Sequence, residues 1–91
     1  MQGYNVIVVF NPQMDKMLMC RRKKEPYKNL SNFVGGKIEK NENGFDAAYR
    51  ELFEETSITS NDISITHLVD FSYPLDDCYV EVYAGRLNKY V

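Results

Sequence analysis

The chain has 91 residues, 44% of them hydrophobic and 26% charged, with no low-complexity run, which is the composition of one small globular domain and excludes a fibrous or disordered segment. A formal net charge of -2 with a single basic cluster argues against a nucleic-acid polymer as partner, and no apolar run reaches the roughly 20 residues that span a bilayer. The opening MQGYNVIVVFNPQMDK has no basic leader or cleavage pattern, so the expected location is cytoplasmic, with Cys20 and Cys78 as reduced, strand-packed thiols.

In chain order, YNVIVVF (4–10) is a short, nearly continuous apolar run rich in β-branched residues and ended by Asn11-Pro12, which predicts a buried strand. MLMCRR (17–22) follows a short turn and is expected to pair with it as a hairpin. KKEPYKNLSN (23–32) has the Pro, Asn and Ser density of a surface loop. FVGGK (33–37) is a short extended piece whose glycines either let backbone come close to something or permit a positive φ.

A helix is predicted from about Gly44 to Thr56, capped by Asn43 with Asp46 three residues on in a variant of the capping box. At 100° per residue Phe45, Ala48, Tyr49 and Leu52 form one apolar stripe, and Glu51, Glu54 and Glu55 fall beside it, with Arg50 bordering Glu54. ISITHLVDFSY (63–73) alternates with period 2, placing Ile63, Ile65, His67, Val69, Phe71 and Tyr73 on one face. PLDD is a turn, and CYVEVYAGRLN (78–88) is the returning strand. The single His67 is expected as a satisfied core histidine and Tyr73 as a packing residue at a strand end. The order predicts a mixed α/β (α+β) chain without repeat or linker.

Charge is divided along the chain. Six of the eleven basic residues (Lys16, Arg21, Arg22, Lys23, Lys24 and Lys28) lie between positions 16 and 28, whereas positions 35–58 carry six acids against three bases. Carboxylates three and four apart on a helix repel, by a few tenths of a kcal/mol per pair when exposed. Two readings follow for Glu51, Glu54 and Glu55. They form a solvated acidic face, or they hold a hard divalent cation, which prefers carboxylate oxygens and leaves its other positions to water and phosphate.

The spacing from Gly36 to Ile58 resembles the box of the Nudix hydrolases, G-x5-E-x7-R-E-U-x-E-E-x-G-U with U a bulky aliphatic residue. Gly36, Glu42, Arg50, Glu51, Leu52, Glu54, Glu55 and Ile58 all fit, and only Ser57 departs, standing where the box has glycine. SNFVGGKIE is similar to the family's usual approach to the box, with Val34 where Pro is common. A glycine at 57 ends the helix in a left-handed conformation, which serine adopts at a cost of about 1 kcal/mol, so the departure is expected to touch stability more than chemistry.

The resemblance implies a Nudix-like α/β/α sandwich with a mixed sheet, and a metal-dependent hydrolysis of the pyrophosphate bond in a nucleoside diphosphate linked to another group. It implies Mg²⁺ or Mn²⁺ as cofactor, with Glu54 and Glu55 as ligands, Gly35 as a carbonyl ligand, Glu51 as ligand or base, and Arg50 orienting the carboxylates. Gly36, Glu42, Leu52 and Ile58 are the structural members of the box. Glu39 and Glu42 are further candidates for an outer ligand or a structural pair. Arg21 and Arg22 either clamp phosphate or serve as solvated edge charges that discourage strand aggregation. Implied substrates are a nucleoside triphosphate, including oxidised ones such as 8-oxo-dGTP as in the MutT-type group, or ADP-ribose or a nucleotide sugar. A metal-binding domain without turnover is the non-enzymatic alternative.

Family domains are longer, so 1–91 is expected to form a single partial domain, about two-thirds of the sandwich, with the box at 36–58. The general base is left open, since some members take it from a loop further along. One sheet face is then expected to expose apolar side chains, and a homodimer is expected to cover it.

Overall fold

The structure is a computed structural model that describes residues 1–21 and 31–89. Its centre is a four-stranded mixed sheet in the order β4-β1-β6-β5, built from β1 (Gln2–Phe10), β4 (Val34–Lys37), β5 (Ile63–Tyr73) and β6 (Cys78–Leu87). β1 runs parallel to β6 and antiparallel to β4, and β5 and β6 form an antiparallel hairpin closed by a 3₁₀ turn at Pro74–Asp76. β2 (Cys20–Arg21) and β3 (Ser31–Asn32) make a separate two-stranded ribbon.

That ribbon corrects one expectation. Among the described residues, the backbone of the segment from Met17 pairs with β1 through the Phe10–Met17 bridge and the Leu18 N–H donated to the Val9 carbonyl at 2.8 Å. It then leaves to pair with β3, because β4 takes one edge of β1 from Ile7 back to Tyr4 and β6 takes the other.

The helix α1 (Gly44–Thr56) has the boundaries its caps predict. The Asn43 side chain accepts from the Asp46 N–H at 2.8 Å, and its amide donates to the Asp46 carboxylate at 3.2 Å, so the box is closed through side chains. Ser57 ends the helix at φ 64°, with its N–H donated to the Phe53 carbonyl. Ser57→Gly removes the left-handed cost, less the extra chain entropy of glycine, and is expected to stabilise by about 0.5–1 kcal/mol. A melting temperature raised by about 2–8 °C in a thermal scan is the result that checks it.

α1 lies on one face of the sheet. Alternate residues Ile7 and Val9 of β1, with Val34, Ile63, Ile65 and Tyr83, meet Ala48 and Leu52 of the helix and Ile58 beyond it in the core. The helix stripe differs from the expected one at its first residue. Phe45 is 45% exposed and contacts Tyr49 and Tyr83 edge-on at the rim, while Ala47 is fully buried in its stead. The small Ala47 and Ala48 set the helix close on the sheet, and a ring at position 45, in the first turn, overhangs the packed zone.

The alternation of β5 also breaks. A bulge at Leu68 shifts the register between His67, paired with Tyr83, and Val69, paired with Val82. Ile63, Ile65 and His67 therefore face the helix, whereas Val69, Phe71 and Tyr73 face the other way, beside Val80 and Val82. His67 is not a core residue. Its ring is 44% exposed, stacks on Tyr83 at 4.9 Å and pairs with the Asp70 carboxylate at 2.5 Å. Cys20 and Cys78 are free and half-buried.

Candidate metal and pyrophosphate site

The glycine pair works in two ways because its residues point to opposite faces. β4 pairs with β1 through Val6↔Gly35 and Asn5↔Gly36. Gly35 adopts φ 155°, and a side-chain carbon there would overlap the Asn5 carbonyl oxygen, so the strands meet this closely only because position 35 has none. The same turn of the backbone aims the Gly35 N–H at the helix, where it is donated to Glu55 Oε2 at 3.0 Å. Gly36 lies under Glu51, and a Cβ at 36 would stand 2.7 Å from Glu51 Oε1.

Arg50 organises the other carboxylates. Its Nε and Nη2 donate to Glu42, at 2.6 Å for the shortest bond, while Nη1 donates to Glu51 at 3.0 Å and to Glu54 at 3.2 Å. Nη2 also donates to the Lys37 carbonyl at 2.9 Å, which ties the helix to the end of β4. Glu42 in turn accepts from the Glu39 N–H at 2.8 Å, closing the loop between β4 and α1. Hydrogen bonds from Arg50 and this N–H hold the Glu42 carboxyl below its ordinary range, and the same contact with Glu42 pushes the guanidinium pKa up.

Among the described residues, Glu42, Glu51 and Glu54 share the Arg50 guanidinium, and Glu55 lies beside them on the Gly35 N–H. β2 runs close by, since the Cys20 thiol is pushed up by burial and then by the negative charge of Glu55.

A family model of the NUDIX domain matches residues 1–88. The chain belongs to the NUDIX domain family. A search of curated protein sequences finds no match. Among solved structures, the chain is similar to a MutT/nudix family protein from Enterococcus faecalis, with TM-score 0.75 and 27% identity over 93% of this chain and 36% of that one. A NUDIX hydrolase from Nitrosomonas europaea shares the fold at TM-score 0.72 and 20% identity, over 98% of this chain and 48% of that one. A C. elegans Ap4A hydrolase does so at TM-score 0.77 and 22% identity, over 97% and 67%. The chain thus spans between about a third and two-thirds of the length of these relatives. Its mixed sheet with one helix on one face is the matching part of the NUDIX α/β fold.

Within the NUDIX box the structural members do what packing demands. Leu52 and Ile58 are in the core, Gly36 makes room for Glu51, and Glu42 is paired with Arg50. Glu42 meets Arg50 Nη2 at 2.6 Å. Glu39 enters through its backbone N–H, with an exposed residue surface. Arg22 lies outside the described residues, and Arg21 is described only through its backbone pairing with Ser31.

One contributor was not singled out from sequence. Asn5, 2% exposed, accepts the Gly36 N–H on Oδ1 at 3.1 Å and so pins the glycine that faces Glu51, while its Nδ2 has no hydrogen-bond partner among the described residues. A polar residue inside an apolar strand was the available signal.

The donors suit a hard divalent cation, being carboxylate and carbonyl oxygens without thiolate or imidazole. They are not gathered into a cage, since no three His, Cys, Asp or Glu groups among the described residues converge on one point. Arg50 bridges Glu51 and Glu54 instead. Among the described residues no helix is long and apolar enough to cross a membrane.

Proposed function

We propose that the chain hydrolyses the pyrophosphate bond of a nucleoside diphosphate linked to another group, taking a nucleoside triphosphate, oxidised forms such as 8-oxo-dGTP included, to monophosphate and pyrophosphate. The observation that carries this reading is the row of Glu51, Glu54 and Glu55 carboxylates that the NUDIX box sets against the Gly35–Gly36 turn, oriented by Arg50 and the Gly35 N–H. A stability-only account has no use for such crowding of carboxylates. A bound cation and an anionic substrate make it useful.

Glu54 and Glu55, with the Gly35 carbonyl, would hold Mg²⁺ or Mn²⁺. When bound, the cation neutralises charge that develops on the phosphate oxygens. Glu51 is a further ligand or takes the proton of the attacking water. Arg50 fixes Glu51 Oε1 and Glu54, so that both carboxylates are oriented before substrate arrives. The Gly35 N–H does the same for Glu55. The protein's part is positioning and screening, which suits phosphoryl chemistry with little covalent work to do.

The test uses the 91-residue chain, confirmed as folded by circular dichroism. It is incubated with nucleoside triphosphates, 8-oxo-dGTP, ADP-ribose and nucleotide sugars, with and without Mg²⁺, and products are identified by mass. Ap4A joins the panel because one structural neighbour is an Ap4A hydrolase. The expected result is metal-dependent release of monophosphate, reduced about 10²-fold or more in Glu54→Gln, at least the loss that follows removal of a residue supporting a metal ligand. A folded chain that turns over nothing in the panel makes this a metal-binding domain without catalysis.

A further inference from the structure

Asn5 is a polar residue on the packed side of β1, between Gly3 and Ile7. It is 2% exposed, and its Nδ2 has no hydrogen-bond partner among the described residues. A buried donor left unmade costs at least as much stability as one ordinary hydrogen bond returns. Valine or leucine would fill such a strand position without that cost. What the residue is for therefore lies with its other polar atom, Oδ1, which accepts the Gly36 N–H at 3.1 Å.

That bond acts on more than Gly36. The Gly36 N–H and the Gly35 C=O belong to one peptide plane, and in a trans peptide they point in opposite directions. With Oδ1 holding the N–H toward β1, the Gly35 carbonyl is turned away from β1. This peptide needs such a hold because it joins two glycines, which rotate with little steric resistance, and Gly35 already stands at φ 155°. The preceding peptide is held separately, by the Gly35 N–H donated to Glu55 Oε2 at 3.0 Å. Each of the two peptides flanking Gly35 is thus fastened by a side chain, Asn5 from the sheet and Glu55 from the helix.

We propose that Asn5 is a positioning residue that fixes the Gly35–Gly36 peptide, so that the Gly35 carbonyl is presented to a divalent cation beside Glu55. This role rests on the hydrolase reading, in which that carbonyl is a ligand. An oxygen already oriented by an outer hydrogen bond needs no reorganisation when the cation arrives, and loss of such a bond weakens metal binding by about 10–100-fold. It also accounts for a buried amide that packing alone does not favour.

The test removes the acceptor and reads the peptide and the cation separately, on the 91-residue chain. In Asn5→Leu, hydrogen exchange of the Gly36 amide, followed by NMR without metal, is expected to quicken about 5–10-fold, the worth of one hydrogen bond. Mn²⁺ affinity, read from the paramagnetic resonance of the free ion, is expected to fall about 10–100-fold. The melting temperature is expected to stay within about 8 °C of the parent, since one bond is lost and one unpartnered amide removed. Asn5→Asp keeps the acceptor and is expected to restore slow exchange at Gly36. Asn5→Val repeats the test should the leucine variant lose its fold. Ile63→Val, a fully buried position in β5, is the control that lowers the melting temperature and leaves both other readouts at the parent's values. Unchanged Gly36 exchange in the apolar variants overturns the hold on the peptide. Faster exchange with the parent's Mn²⁺ affinity overturns the positioning role and leaves the hydrolase reading intact. A parent that binds no Mn²⁺ overturns the hydrolase reading, and the role toward the cation with it.

Discussion

Gly35→Ala is expected to destabilise the domain by about 3 kcal/mol or more, a backbone overlap added to a strained φ, and so to lower the melting temperature by about 12 °C or more. The physical reason is that the new methyl group would meet the Asn5 carbonyl oxygen, which belongs to the central strand β1 and is held there by pairing on both sides. No rotamer relieves a clash with backbone. Gly36→Ala is the informative contrast, because its methyl group meets the carboxylate of Glu51, the far end of a flexible side chain. That variant is expected to lose about 1 kcal/mol or less of stability, since overpacking against a movable group is relieved by rotation. It displaces Glu51 from Arg50 all the same, so under the proposed function turnover is expected to fall much further than stability. Thermal scans by circular dichroism on both variants, with turnover on the substrate found for the parent, separate the two roles. A Gly35→Ala protein melting within about 2 °C of the parent would refute the close approach at β1, being less than half the shift a single kcal/mol brings at this size.

Arg50→Ala is expected to cost about 2–3 kcal/mol, because removal of one partner leaves the partly shielded Glu42 and Glu51 carboxylates without compensation. The side chains of Arg50, Glu42 and Glu51 are 28%, 18% and 14% exposed, so solvent screens part of this and the figure stays below that of a fully buried network. Arg50→Lys is the sharper experiment. Arg50 bonds Glu42, Glu51, Glu54 and the Lys37 carbonyl together through a planar fork, and a lysine ammonium has neither the reach nor the number of donors to do so. The lysine variant is therefore expected to keep the charge and lose most of the stability difference, melting closer to the alanine variant than to the parent. If lysine restores the parent's melting temperature, net charge alone matters and the geometric account of the network fails.

Much of the candidate site was legible before the fold. The spacing from Gly36 to Ile58 is set by the helical period and by the loop that feeds the helix, and both are local. Asn43, Asp46 and Ser57 carried the helix ends because capping bonds span only three or four residues. Less legible was what each group touches. The glycine pair left two readings open, and only the pairing with β1 shows Gly35 using the close approach and Gly36 yielding space to Glu51. Asn5 became visible only once β4 lay beside it.

By itself the sequence determined the helix with its caps, the β5–β6 hairpin with its turn, and the row of glutamates beside Arg50, all products of contacts between near neighbours along the chain. The tertiary structure decided the parallel pairing of β1 with β6, the departure of β2 to β3, and the bulge that sends Val69, Phe71 and Tyr73 to the face away from the helix. Periodicity is blind to the last of these, because one inserted residue in a strand reverses every side chain after it while leaving the alternation of residue types intact. The strand partners depend on which edges remain unfilled when distant segments meet, and that competition has no signature in any single window of sequence.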